Sequence, residues 1–178
     1  MINEFSVKAK STNKKALYAF IIILVSSIVI FAVSFVIDKY SGIVGNVGLI
    51  TLAVSVLIYT KYVSPTYYYD VMTEEGSSPS LVIRMMNGKR QTTLCRIYLS
   101  DIRKIDSESA KERRAHKAEK GVMVYSYVPT LLPEQTYRIY SRSRYERSEI
   151  IVEITDEMAM LLSRCVAEAQ AAAKYDDE

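Results

Sequence analysis

ALYAFIIILVSSIVIFAVSFVI, the stretch from Ala16 to Ile37, contains no charged side chain. As a helix it is about 33 Å long, enough to cross a hydrocarbon core of about 30 Å. A second uncharged run, IVGNVGLITLAVSVLIY, extends from Ile43 to Tyr59. Only Asp38-Lys39-Tyr40-Ser41-Gly42 separates the two runs, which leaves room for a tight turn. In lipid each segment must satisfy its own backbone polar groups, so the sequence predicts an antiparallel helical hairpin over 16–64, with spans at 16–37 and 43–64. Gly42, Gly45 and Gly48 on the second span, and Ser26, Ser27, Ala32 and Ser34 on the first, are small enough to let the helices approach closely. Tyr18, Tyr40, Tyr59 and Tyr62 fall near the predicted ends, where amphipathic rings favour the interface. The alternative for the first run is a secretory signal peptide cleaved near Ala32-Val33-Ser34. Its apolar length argues against that, since such regions run to about 7–15 residues.

Working outward, residues 1–15 read as a basic tail carrying Lys8, Lys10, Lys14 and Lys15 against Glu4. The outer turn is nearly neutral, and Lys61 follows the second span. Positive charge is retained on the cytoplasmic side, so the sequence predicts a two-span protein of the cell membrane with both termini cytoplasmic.

From Pro65 onward the composition is that of a soluble domain, with 17 Lys/Arg against 18 Asp/Glu. The net charge of +3 therefore resides in the N-terminal part. A neutral domain lacks the concentrated basic surface that phosphate backbones require, which excludes nucleic acid as the main partner. Pro65 ends the second helix, because the residue before a proline is driven out of the α region. Seven strands follow, at 66–73, 81–86, 90–99, 102–106, 121–127, 135–141 and 148–155, divided by turn signals such as Glu74–Pro79 and Asn87-Gly88. Ser107–Lys120 is highly charged and reads as a solvated loop or a short exposed helix, with His116 a solvated surface residue. Thr155 is an N-cap for a last helix ending near Lys174, in which Met158, Leu161, Leu162, Cys165, Val166 and Ala169 form one apolar stripe. That stripe is expected to close one open end of the β structure. Cys95 and Cys165 read as small buried apolar residues.

The expected fold is thus a membrane helical hairpin plus an α+β domain, a seven-stranded antiparallel barrel or sandwich with a C-terminal helix over 65–178. This order resembles the pleckstrin-homology-like (PH-like) fold. Arg96-Ile97-Tyr98-Leu99-Ser100-Asp101-Ile102-Arg103-Lys104-Ile105 is similar to the strand-turn-strand motif of bacterial members, some of which carry a preceding helical hairpin. The resemblance implies a module that binds lipids, peptides or proteins and is not an enzyme. Phosphoinositide-binding members have a basic first hairpin loop. Here that loop is read as Glu74–Pro79, without Lys or Arg, which speaks against an inositol-phosphate pocket.

No nucleotide-loop, nucleophile-elbow or metal-ligand spacing occurs, so no catalytic residue, metal or cofactor is predicted. The one local enrichment is Tyr137–Arg147, where alternation puts Arg138, Tyr140 and Arg142 on one face and Arg144 and Arg147 continue into the hairpin loop. These five are the candidate contact residues. The competing reading is a solvated hairpin whose arginines pair with Glu146, Glu149 and Glu153. Two functions are expected: a tethered module that recruits a protein partner, or a lipid-responsive module whose basic hairpin touches anionic headgroups of the bilayer. Oligomeric state stays open.

Overall fold

A computed structural model describes residues 5–9, 14–37, 40–73, 78–143 and 146–176, the last three as backbone only. Two compact units emerge, one made from 12–65 and the other from 1–11 together with 66–178.

In the first unit, α1 (Lys14–Ser34) and α2 (Ser41–Ile58) pack side by side, and a π-helical turn, Tyr59–Val63, extends α2. Both helices are long and apolar enough to cross a membrane, and only 11% of each apolar window is buried. A core helix of a soluble protein would be mostly covered; here Ile22, Ile28, Ile43 and Ile50 are each at least 60% exposed. The small residues meet as their positions suggest. The Ser27 hydroxyl donates to the Gly48 carbonyl at 3.2 Å. A Cβ on Gly48 would come within 3.4 Å of the Phe31 backbone nitrogen, so the absent side chain is what admits the neighbouring helix. Gly42 and Ser26 take no part: the space around Gly42 is open, and Ser26 bonds back to Ile22.

The second unit is an α+β fold with two four-stranded sheets and a C-terminal helix. Sheet A comprises β1 (Phe5–Lys8), β2 (Thr66–Met72), β3 (Ser80–Asn87) and β4 (Arg90–Tyr98), in that spatial order. Sheet B comprises β5 (Ile102–Ser109), β6 (Met123–Tyr127), β7 (Gln135–Arg142) and β8 (Arg147–Val152), in the order β5-β7-β8-β6. Three features differ from expectation. There are eight described strands instead of seven, β6 runs parallel to β8, and the barrel is not closed. The extra strand is β1. Phe5 and Val7 are half-buried against the core, and Ser6 and Lys8 face outward. The basic stretch 1–15 thus holds a strand that pairs antiparallel with β2, from Phe5↔Val71 to Lys8↔Tyr68. The first strand-to-strand connection is therefore the helical pair itself. Glu74–Pro79 joins β2 to β3 and is the second connection; its residues 74–77 lie outside those described.

Asn87 pairs with Arg90 across a two-residue turn, Gly88-Lys89. Gly88 supplies the positive φ of 61° that the first central position of such a turn demands. Between the sheets, Ile97, Leu99 and Ile102 are buried at 7%, 0% and 0%, with the 3₁₀ turn Leu99–Asp101 carrying the chain from β4 to β5. The apolar motif marks this corner. Tyr69, Leu81, Ile83, Ile139, Ile150 and Val152 complete the core.

Helix α4 (Asp156–Asp176) begins as expected, with the Thr155 hydroxyl accepting from the Met158 amide at 3.3 Å. Met158, Leu162, Cys165, Val166 and Ala169 are buried in the same core. Leu161 is not, at 47% exposed. It sits on the flank of the stripe, off the buried face of the helix. The charged run forms α3 (Ala110–Ala115), started by a capping box in which Ser109 and Glu112 satisfy each other's amides.

Candidate functional site

Thr136, Arg138, Tyr140 and Arg142 are alternate residues of β7, on the face opposite Tyr137 and Ile139. That face is not solvent along its length. Arg113 of α3 donates to the Thr136 hydroxyl at 3.0 Å and to the Pro133 carbonyl at 3.3 Å. Beneath this cover Arg138 is 3% exposed. Its Nη2 donates to the Glu108 carboxylate at 2.7 and 3.0 Å, and its Nη1 to Glu149 at 2.5 Å. The second Glu149 neighbour is His116, whose Nε2 lies 3.0 Å from the same oxygen.

Glu108 on β5 and Glu149 on β8 are diagonal neighbours of Arg138 on the central strand, so one guanidinium bridges three strands. Burial pulls the Arg138 pKa down, but hydrogen bonds to Glu108 and Glu149 outweigh it and the net shift is upward. Arg138 is thus an internal counter-ion, as the solvated-hairpin reading anticipated for Glu149, and not an exposed cation. His116 is exposed at the surface, as expected, and its ring is partnered by Glu149.

Of the remaining expected contact residues, Tyr140 is half-buried and Arg142 and Arg147 are exposed. Arg147 lies 4.0 Å from Glu119, both well exposed, a geometry worth little. Arg144 lies outside the described residues, as does Tyr145.

A second feature was not anticipated. Sheet A ends on β4 and sheet B ends on β6, and neither strand has a partner on its outer edge among the described residues. Between them opens a cleft of 430 Å³ lined by Tyr98, Asp101, Tyr125, Tyr127, Ser143 and Glu146, among others. Its floor is stiffened from below. The Tyr127 hydroxyl donates to the Leu94 carbonyl at 3.4 Å, and the Tyr69 hydroxyl donates to the Tyr127 carbonyl at 2.9 Å. The Tyr125 and Tyr127 rings stack with centroids 6.4 Å apart, and Tyr125 donates to Glu146 at 3.2 Å.

Along β6, Met123 and Val124 are 54% and 45% exposed, an apolar strand edge without cover. Burial pushes the Asp101 carboxyl up, against the opposing influence of Arg103. Burial pushes the Cys95 thiol up too, so it stays a thiol and a poor nucleophile. It also raises the Tyr127 hydroxyl to about 12, with Cys95 adding to the shift. Both cysteines are free.

The signal that could have revealed this cleft was in the sequence. Tyr98, Tyr125 and Tyr127 are large aromatic residues on strands that end the two sheets, but which strands are edges is decided by non-local pairing. Comparison of the chain with protein-family models, curated proteins and solved structures gives no match.

Proposed function

We propose that this chain is a membrane-tethered binding module, PH-like in its β domain, that holds a protein partner at the inner face of the membrane. The observation that carries the reading is the open seam between β4 and β6. Proteins ordinarily blunt exposed strand edges with charge, proline or a covering element. Here two unpaired edges border one cleft lined by the exposed side chains of Tyr98 and Tyr125, and β6 also exposes Met123 and Val124. Such an arrangement suits an extended peptide segment, whose backbone pairs with an edge strand while its side chains enter the cleft. The hairpin of Arg142 and Arg147 contributes Ser143 and Glu146 to the lining, so the two exposed arginines are available to acidic residues of the same partner.

Membrane insertion is supported by two long apolar helices that are almost wholly uncovered. The lysines at 8, 10, 14 and 15 favour cytoplasmic placement of the β domain and both termini. Two four-stranded sheets and a C-terminal helix packed on the core support the PH-like reading.

The lipid-responsive alternative, with the Arg138–Arg147 hairpin on the bilayer, is less well supported. Arg138 is occupied by Glu108 and Glu149. The hairpin also lines the cleft together with Tyr98, so its exposed arginines stand beside the surface proposed for the partner. The domain is read as a binder without catalysis, cofactor or nucleic acid.

A photo-crosslinking amino acid at Tyr98, in the full chain in its native membrane, tests the proposal. The expected result is a discrete protein adduct that disappears when Tyr125→Lys is added and persists with Arg103→Gln. No adduct from Tyr98, with the chain still membrane-integrated, would overturn it.

A further inference from the structure

We infer that the α2 face carrying Gly42, Asn46 and Leu49 is where a second copy of this chain packs within the bilayer, the two Asn46 amides hydrogen-bonding to each other across a twofold axis. The inference rests on one polar side chain that the helical pair leaves unsatisfied. The hydroxyls in the two helices hand their protons to backbone carbonyls. Ser26 and Thr51 donate to Ile22 and Val47, one turn back in their own helices, at 2.8 Å each. Ser34 and Ser55 donate to Phe31 and Leu52 at 2.6 and 2.8 Å, and Ser27 crosses to the Gly48 carbonyl. Asn46 has no such outlet. It is exposed, and among the described residues its side-chain amide makes no hydrogen bond. That amide carries two N–H donors and an acceptor oxygen, none of which hydrocarbon satisfies.

The level of Asn46 in the pair is apolar. The uncharged run begins three residues earlier at Ile43, about 4.5 Å along the axis. Gly45 stands against Ser34, so the chain beyond α1 continues outward past this level through Phe35 and Val36, both largely exposed. Gly42, Asn46 and Leu49 fall at i, i+4 and i+7, one face of the helix. A Cβ on Gly42 would meet nothing within 4 Å, so a neighbouring backbone has room to approach there. Beside this face the two helices leave a groove of 530 Å³, in which Phe31, Phe35 and Leu49 join Asn46 in the lining. A second copy is the occupant this chemistry selects. Two chains inserted with the same topology carry residue 46 at the same depth, and a twofold axis along the membrane normal sets it against itself. An amide both donates and accepts, so each Asn46 satisfies the other. A lipid tail could fill the groove but would leave the amide bare. Each interhelical hydrogen bond shifts association about threefold to twentyfold, so a reciprocal pair gives on the order of tenfold to a few hundredfold.

This surface belongs to the helical pair alone and does not depend on the partner proposed for the cleft. The test uses the full chain with Cys95→Ala and Cys165→Ala, reconstituted into phosphatidylcholine vesicles at low protein density. A single cysteine is then placed at Gly42→Cys, on the inferred face, or at Val47→Cys, exposed and about 140° further round the helix. Resistance to carbonate extraction reports insertion separately from association. Mild oxidation is expected to give a disulfide-linked dimer from Gly42→Cys and little from Val47→Cys. Adding Asn46→Leu, which makes the span more apolar and so preserves insertion, should cut the Gly42→Cys dimer about tenfold or more. Asn46→Gln, which keeps the amide, should retain it. The inference is overturned if Gly42→Cys gives no more dimer than Val47→Cys, or if Asn46→Leu leaves the dimer yield unchanged.

Discussion

Replacing Arg138 by methionine isolates the ion cluster that joins the strands of sheet B. The substitution keeps an unbranched apolar stem and removes three hydrogen bonds, at 2.5, 2.7 and 3.0 Å. It leaves the Glu108 and Glu149 side chains, 8% and 5% exposed, without their shared cation. His116 Nε2, 3.0 Å from Glu149, remains beside one of them, so Glu108 bears most of the loss. Breaking a buried pair from one side costs about 3–5 kcal/mol, a large part of the roughly 5–15 kcal/mol that holds a domain folded. Urea unfolding of the full chain in mild detergent, followed by near-ultraviolet circular dichroism, measures it. The triple variant Glu108→Leu, Arg138→Met, Glu149→Leu should recover most of the stability, since an apolar replacement of a whole buried cluster is often neutral. If Arg138→Met falls within about 0.5 kcal/mol of the exposed control Arg142→Met, Arg138 is not the internal counter-ion described above.

In α4, Leu162→Ala should cost about 2–5 kcal/mol by leaving a core cavity, and Leu161→Ala, at 47% exposed, far less; equal losses in the same urea assay would misplace the helix face. In the helical pair, a Cβ on Gly45 would lie 3.9 Å from that of Ser34, inside the usual disulfide range, so Ser34→Cys with Gly45→Cys should cross-link on mild oxidation while Ser26→Cys with Gly45→Cys should not. Alkali should destabilise the β domain: Tyr127 and Tyr137 are both raised from 10.0 to about 12, chiefly by burial, so their stabilisation is complete below pH 10 and is lost as pH rises through about 12. Tyrosinate absorbance titrating in step with unfolding checks this, and free titration of every tyrosine near pH 10 would refute it.

How much of this was legible depends on the range of the interaction. The two apolar helices, the capped start of α4 and the apolar corner Ile97–Ile102 are encoded within a few residues of themselves and are found where the sequence puts them. Strand β1 was not legible, because four residues, Phe5–Lys8, beside a cluster of lysines carry too little pattern. Their strand character comes from pairing with Tyr68–Val71 across the whole helical pair. The same holds for Arg138. Alternation correctly groups it with Tyr140 and Arg142, but its burial depends on α3 and on Glu108, thirty residues earlier. The parallel pairing of β6 with β8 is non-local too, and with it the cleft.

The placement of β1 changes how the β domain is joined to the helical pair in the chain. Here the chain enters the helices from β1 and leaves them into β2, and those strands are adjacent and hydrogen-bonded up to Ala9 and Tyr67. The exit link is two residues long and contains Pro65, whose fixed φ removes one of the few free torsions. Both links to the helices therefore leave the β domain from adjacent strands of one sheet, about 4.8 Å apart. The cleft is bordered by β4, whose Tyr98 end lies eight residues from Arg90, or about 27 Å along the strand. Sheet A thus carries the links to the helical pair at its Thr66 end, and the recognition proposed for the cleft falls toward its Tyr98 end.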